Sequence, residues 1–286
     1  MALLEVGVNY QYSTIQNAVN SAPDGGCVRV NPAVAGNIYN EAVTVNNKRV
    51  RLFGGVPSQG ILIAGAGGGA APALVVTGTG AVNLENFSFS NVGSAATYVV
   101  ELNVAEDWIT HCIIDGGGTA RCLQSQFGDH CLLQNGVRGN DPSCPGQVLF
   151  THFTCVNMSA QGIAGNGVTG TYQACLTYNC NNLGFLNAGF QYCAWNAGDD
   201  VTVPGPDSLA GLSLAEIAFV NYAGGDFRLS IASKAFSFGV DPMQVQMGER
   251  LRLRSGPDNR IYAGCYDPFP AAPAWLTGSS QLRVMY

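Results

Sequence analysis

Charged side chains are scarce in this sequence. The 286 residues include 13 Lys and Arg and 19 Asp and Glu, so charged residues make up 11% of the chain, against about 25% in an average soluble protein. The net charge of −6 argues against a nucleic-acid partner, which needs a basic surface. A surface this poor in charge indicates either that other subunits cover it or that Asn, Ser and Thr replace charged residues, and both alternatives stay open at this point.

Long apolar runs are also missing, and with them any sign of a membrane partner. No stretch of the sequence approaches the roughly 20 consecutive apolar residues that a membrane-spanning helix needs. The first residues show neither a basic region nor a small-residue cleavage site. We therefore expect a protein made in the host cytoplasm without a signal peptide.

None of the ten cysteines belongs to a CxxC pair or a Cys/His zinc spacing. Five of them occupy core positions of the repeat described below, where cysteine acts as a small apolar residue. Four others fall outside that pattern: Cys122, Cys144, Cys180 and Cys265. Whether these four form disulfides is open, and a Cys122–Cys144 bridge between neighbouring coils is one alternative.

A six-residue pattern returns six times in the middle of the chain. It combines an apolar residue, two mostly polar residues, Phe or Cys, a spacer and another core-type residue, at residues 84–89, 109–114, 128–133, 150–155, 172–177 and 190–195. The fourth residue of each copy falls at 87, 112, 131, 153, 175 and 193, which gives steps of 25, 19, 22, 22 and 18 residues. Repeats of this length cannot bury an apolar face alone and must stack. The pattern predicts an all-β solenoid.

Three regions follow along the chain. Residues 1–55 are predicted to form an N-terminal cap helix with the first strands, and Ser13 with Gln16 to form its capping box. Residues 56–203 are predicted to form the coils. Residues 204–286 are predicted to form a C-terminal closing segment and an extended tail, with a second capping box at Ser213 and Glu216.

The opening segment, Tyr12-Ser-Thr-Ile-Gln-Asn-Ala-Val19 with Ala22-Pro23 and Tyr39-Asn-Glu-Ala-Val43, resembles that of the right-handed parallel β-helix superfamily. Pectin methylesterases and pectate-lyase-like proteins belong to this superfamily. The resemblance implies a single-stranded right-handed parallel β-helix. The segment around Gly225-Asp-Phe-Arg-Leu-Ser230 is similar to the closing segments of bacterial and phage β-helix proteins, so the chain resembles non-catalytic phage virion members.

All three histidines of the chain occupy the third repeat position, on consecutive coils: His111, His130 and His152. Because adjacent coils lie about 4.8 Å apart, the three imidazoles should stack at one corner. In β-helices that corner typically carries an Asn ladder, so we interpret the histidines as ladder residues and expect no metal or other cofactor. The alternative is a metal site or a pH-sensitive contact, with Asp129 as the nearby carboxylate.

Carboxylates are the natural candidates for catalysis, because β-helix enzymes act on polysaccharides and a hydrolase needs two opposed carboxyl groups. The candidates are Asp107, Asp115, Asp129, Asp199 and Asp200. No two of them share an outward column on adjacent coils. Asp107-Trp-Ile-Thr-His111 approaches a pectate-lyase motif, but Thr110 stands where that family has a calcium-ligating Asp. The other signatures of both enzyme families are missing.

We therefore predict a structural virion protein of a tailed phage, used as a capsid decoration, tail or fibre component, without catalysis. Its expected partners are other virion proteins and further copies of itself, as a homotrimer. One alternative is a polysaccharide-degrading lyase or hydrolase, such as a tailspike depolymerase or a pectinase-like enzyme that binds cell-surface polysaccharide. Another is a bacterial surface adhesin module, and both alternatives imply an extracellular location.

Overall fold

A computed structural model describes most of the first 236 residues. The described ranges are 3–32, 38–54, 62–64, 71–90, 97–104, 106–140, 148–164, 170–180, 185–186, 189–191, 193–196, 208–230 and 232–236.

Three parallel sheets run the length of the described chain. Sheet A contains β1 (Leu3–Val6), β2 (Gly26–Val30), β5 (Arg49–Gly54), β8 (Ala81–Glu85), β11 (Trp108–Thr110), β14 (Phe127–Asp129), β17 (Val148–Thr151), β20 (Gly170–Gln173) and β23 (Gly189–Gln191). Sheet B contains β3 (Ile38–Asn40), β6 (Leu62–Ala64), β9 (Ser88–Ser90), β12 (Ile113–Asp115), β15 (Leu132–Gln134), β18 (Thr154–Met158), β21 (Leu176–Cys180), β24 (Ala194–Asn196) and β25 (Leu209–Leu212). Sheet C contains β4 (Val43–Asn46), β7 (Leu74–Thr77), β10 (Tyr98–Leu102), β13 (Arg121–Gln124), β16 (Arg138–Asn140), β19 (Gln161–Ala164) and β22 (Phe185–Leu186).

Within each sheet, the inner strands pair in parallel with the strands of the coils before and after them. In sheet A, Ile109 pairs with Gly128, Gly128 with Phe150 and Phe150 with Tyr172. These are first positions of successive repeats, so the repeat sets the register. The predicted all-β, right-handed parallel β-helix is confirmed.

The fourth repeat position forms a column in the core. Its members Phe87, Cys112, Cys131, Phe153, Cys175 and Cys193 are all buried, at 2% exposure or less. The eight described cysteines, Cys122 and Cys180 among them, are all buried. Cys144 and Cys265 lie outside the described residues, so the Cys122–Cys144 bridge stays a prediction.

The N-terminal helix α1 (Ile15–Ser21) begins one residue later than predicted. Thr14 is its N-cap and accepts a hydrogen bond from the Asn17 amide at 3.3 Å. The predicted Ser13–Gln16 capping box is therefore wrong. The distant Glu41 carboxylate replaces it, because it accepts from the first two helical amides at 2.9 and 3.0 Å.

Gln16 has a different role, at the edge of sheet C. Its Oε1 accepts from the Thr44 amide at 2.7 Å, and its Nε2 donates to the Thr44 carbonyl at 3.0 Å. Thr44 belongs to β4, the terminal strand of that sheet. The side chain thus satisfies backbone groups that an edge strand would otherwise leave unpaired.

The closing segment continues the solenoid and then folds back over it. Strand β25 extends sheet B, and α2 (Leu214–Ile217), β26 (Phe219–Asn221) and β27 (Asp226–Leu229) follow. The predicted capping box of Ser213 and Glu216 is present. Phe227 packs against Leu132 and Val156. Cys155, which directly precedes Val156 in the chain, points to the opposite side of the sheet and lies in the main core. The β26–β27 hairpin therefore covers the outer face of sheet B.

The boundaries 1–55, 56–203 and 204–286 stay predictions, and the tail from residue 237 lies outside the described residues. Neither helix of the described part is long and apolar enough to span a membrane.

Candidate functional site

The third repeat position is a column of left-handed residues. It follows the strands of sheet A with φ of 63° at Asn86, 51° at His111, 49° at His130, 52° at His152 and 51° at Ala174. Asn and His tolerate this region of backbone space better than most residues. The backbone therefore agrees with a turn role for the three histidines. Tyr192, the next member of the column, lies outside the described residues.

The three imidazoles stack as predicted. The ring centroids of His111 and His130 are 5.1 Å apart, and those of His130 and His152 are 4.4 Å apart, with interplanar angles of 12° and 21°. Burial increases along the column: His111 is exposed, whereas the side chains of His130 and His152 are 11% and 4% exposed.

Asp129 lies against the two more buried histidines. Its Oδ2 is 2.7 Å from His130 Nδ1, and its Oδ1 is 3.2 Å from His152 Nδ1. Thr151 Oγ1 also donates to Oδ1, at 2.5 Å. Burial raises the pKa of Asp129, but the contacts with His130 and His152 outweigh burial and hold this pKa well below its usual range. The carboxylate is therefore ionised, and it joins two coils.

Asp107 is fully buried and serves the backbone. Its two oxygens accept from the amides of Val82, at 2.7 Å, and Val104, at 3.0 Å. Burial raises the pKa of Asp107 to about 6, although the two amide bonds act in the opposite direction. This residue fastens β8 to the segment before β11, and it offers no surface to a substrate.

Asp115 is bound at the end of β12 in sheet B. It accepts from the Gly117 amide at 2.8 Å, from Gln134 Nε2 at 2.8 Å and from Asn135 Nδ2 at 3.1 Å. The three candidate catalytic acids within the described residues, Asp107, Asp115 and Asp129, are thus held apart from one another, each by its own partners on an adjacent coil. Asp199 and Asp200 lie outside the described residues.

An asparagine ladder runs along a different corner from the one predicted. Asn135, Asn157 and Asn179 have φ of 50°, 57° and 55°. Asn157 Nδ2 donates to Asn135 Oδ1 at 3.3 Å, and Asn179 Nδ2 donates to Asn157 Oδ1 at 2.7 Å. An amide can donate upward and accept from below at each step, which suits it to such a chain.

The sequence carries a signal for this ladder, in the spacing of its members. The three asparagines stand four residues after Cys131, Phe153 and Cys175 and share their 22-residue step. The ladder was expected only at the histidine corner, although the 22-residue spacing of these asparagines indicates this second position.

The chain has limited similarity to several solved structures. No protein-family model and no curated protein matches the chain. Among solved structures, the deglycosylated pectin methylesterase from Aspergillus niger is similar at 14% identity and a TM-score of 0.49, over 73% of this chain and 83% of that one. A carrot pectin methylesterase has 14% identity and a TM-score of 0.48, over 78% and 92%. Pectate lyase Pel9A has 12% identity and a TM-score of 0.46, over 93% and 96%. The assignment to the parallel β-helices rests on the strand pairing itself.

Proposed function

We propose that the chain is a structural, non-catalytic protein of a tailed-phage particle, in which it serves as a capsid decoration, tail or fibre component. The main support for this proposal is that the candidate acidic side chains bind neighbouring coils. Asp107, Asp115 and Asp129 each bind groups of an adjacent coil. A catalytic acid or base must reach the substrate for proton transfer. Because these carboxylates bind adjacent coils, their placement favours a structural role over a catalytic one.

The low content of charged residues supports a role in an assembly with other protein subunits. Only 11% of the residues are charged, and a surface with so little charge is suited to contact with other protein surfaces. We propose a homotrimer in contact with other virion proteins. A parallel β-helix suits this role because its strands pair with strands of other coils, so local opening must break long-range contacts, and such topologies rearrange slowly.

Sedimentation velocity of the full chain at several concentrations tests the assembly. We expect one species of three times the chain mass of 29.9 kDa that persists on dilution. A monomer at every concentration would contradict the proposed trimer.

A polysaccharide assay distinguishes the scaffold from a depolymerase. The full chain is incubated with capsular and pectic polysaccharides, and new reducing ends and unsaturated products are measured. We expect none above a heat-denatured control. Product formation that disappears in Asp115→Asn or Asp129→Asn, with the melting temperature retained, would replace the scaffold role with an enzymatic one.

A further inference from the structure

Asp129, His130 and His152 form a group suited to a cation. Each residue offers one ligand atom, and these atoms all lie within 4.8 Å of one another. We propose that these three residues bind a single divalent transition-metal ion, of the kind that includes Zn²⁺, Co²⁺ and Ni²⁺. The proposal is independent of the virion role, since a metal site can occur in a scaffold or in an enzyme.

The ligand types define the class of ion. Two imidazole nitrogens with one carboxylate oxygen are a donor set found for zinc and other first-row transition metals. Calcium and magnesium prefer oxygen ligands throughout, so they fit this group poorly. Three protein ligands leave a fourth position of a tetrahedral site for water.

The spacing is close to what such an ion requires. Zinc–nitrogen and zinc–oxygen bonds near 2.1 Å place neighbouring tetrahedral ligand atoms about 3.4 Å apart. The carboxylate oxygens of Asp129 lie 2.7 Å from His130 Nδ1 and 3.2 Å from His152 Nδ1. All three ligand atoms lie within 4.8 Å of one another, so the side chains must rotate to bring every pair to the spacing that an ion requires.

The backbone and a neighbouring hydroxyl hold the group in place. His130 and His152 sit at fixed left-handed turns, with φ of 49° and 52°, directly after paired strands. Asp129 pairs in register with Thr151, whose hydroxyl donates to Asp129 Oδ1. Outer partners of this kind orient metal ligands. Asp129 and His130 keep 18% and 11% side-chain exposure, so an ion can enter from solvent.

His111 provides a matched contrast in the same column. Its ring stacks on His130 at 5.1 Å, and its backbone has the same left-handed conformation. The residue before it, however, is Thr110, whose Oγ1 lies 2.9 Å from His111 Nδ1. His111 is outside the ligand group because its coil has a hydroxyl at the position that Asp129 occupies on the next one.

Calorimetric titration of tag-free full chain with Zn²⁺ tests the proposal. We expect one ion per chain, and a melting temperature that rises with Zn²⁺ and falls again with a chelator. Asparagine suits the substitutions, because Asn86 occupies the same column with φ of 63°. His130→Asn and His152→Asn should weaken binding at least about a hundredfold, Thr151→Val by about tenfold, and His111→Asn should leave it unchanged.

The spectrum of the Co²⁺-loaded protein distinguishes nitrogen and oxygen ligands from thiolate ligands without any variant. Nitrogen and oxygen ligands should give visible d–d bands without the ultraviolet charge-transfer bands of thiolate ligation. Absence of binding for all of Zn²⁺, Co²⁺ and Ni²⁺ would overturn the proposal. So would thiolate bands, or equal affinity in the His130→Asn and His152→Asn proteins.

Discussion

At the scale of single residues, the polar side chains of this molecule mostly join one coil to the next. Asp107, Asp115 and Asp129 are candidate acids by sequence, and each proves to bind an adjacent coil. Their acidic character was readable from the sequence, but their partners were not. The partners depend on register, which brings together residues about one coil apart.

Asp107 gives the folding stability an unusual pH dependence. Its pKa is raised to about 6 in the folded protein from an ordinary 3.8, so the folded state binds a proton more tightly than the unfolded state. This contribution to stability is fully present below about pH 4 and is lost as the pH rises through about 6. In Asp107→Asn, the free energy of unfolding should fall less steeply across this window than in the unsubstituted protein.

The same variant should be less stable at neutral pH, by about 1–3 kcal/mol. An Asn side chain has only one oxygen, so its amide group would face one of the two backbone donors, Val82 or Val104. Denaturant titrations at pH values between 4 and 8 measure both effects. Identical pH profiles for the two proteins would contradict the raised pKa.

Asn140 and Thr177 are buried polar residues with side-chain atoms that have no hydrogen-bond partner among the described residues, so replacing them with apolar residues should stabilise the fold. Asn140 is 1% exposed and lies in register between Leu123 and Ile163. Within the part of the chain that the structure describes, neither of its side-chain polar atoms has a hydrogen bond. Buried polar atoms without partners cost about 1–3 kcal/mol. Asn140→Leu should therefore raise the free energy of unfolding by about that amount.

Thr177 offers a smaller and nearly isosteric version of the same test. It is fully buried, and its Oγ1 has no hydrogen-bond partner in the described ranges, so Thr177→Val should also stabilise, by up to about 2 kcal/mol. Denaturant titration measures both variants. A loss of stability in both would mean that these polar atoms are bound to groups such as buried water.

At the scale of elements, the turns at the corners of the coils contribute to the fold as much as the strands do. The repeat predicted stacked coils and the core column of Phe and Cys, because apolar burial requires both, and its six copies lie in six strands of each of sheets A and B. It did not predict the strands of sheet C, which lie outside the repeated residues. The N-terminus of α1 was also predicted wrongly, because Glu41, whose carboxylate accepts from the first helical amides, is 26 residues from Ile15.

The asparagine ladder should account for several kcal/mol of stability. Asn157 donates to Asn135 and accepts from Asn179 and from the Tyr222 hydroxyl, the last at 2.6 Å. Asn157→Gly keeps the left-handed turn accessible but removes all three bonds, so we expect a loss of about 2–4 kcal/mol.

Tyr222→Phe is the control for the ladder, because it removes the hydroxyl and leaves the amide chain intact. It should cost only about 1 kcal/mol. Denaturant unfolding of both variants provides the comparison. Equal losses would show that the contact with Tyr222, and not the ladder, stabilises this corner.

At the scale of the whole molecule, sequence and structure agree on architecture more closely than on chemistry. Stacking was predictable because a coil of about 22 residues cannot be stable alone. The proximity of Asp129 to His130 and His152 could be predicted only in part from the sequence. The histidine column was predictable, but the contact of one carboxylate with two coils was not. The hairpin over the outer face of sheet B also had no signal in the repeat.

The proposed role as a structural part of a phage particle can be tested on the composition of purified particles. Particles from a culture that makes the chain are banded on a density gradient, and the proteins of each fraction are quantified by mass spectrometry. We predict that the chain bands with intact particles at a constant ratio to the major capsid protein. Recovery of the chain only in the free soluble fractions would contradict this account.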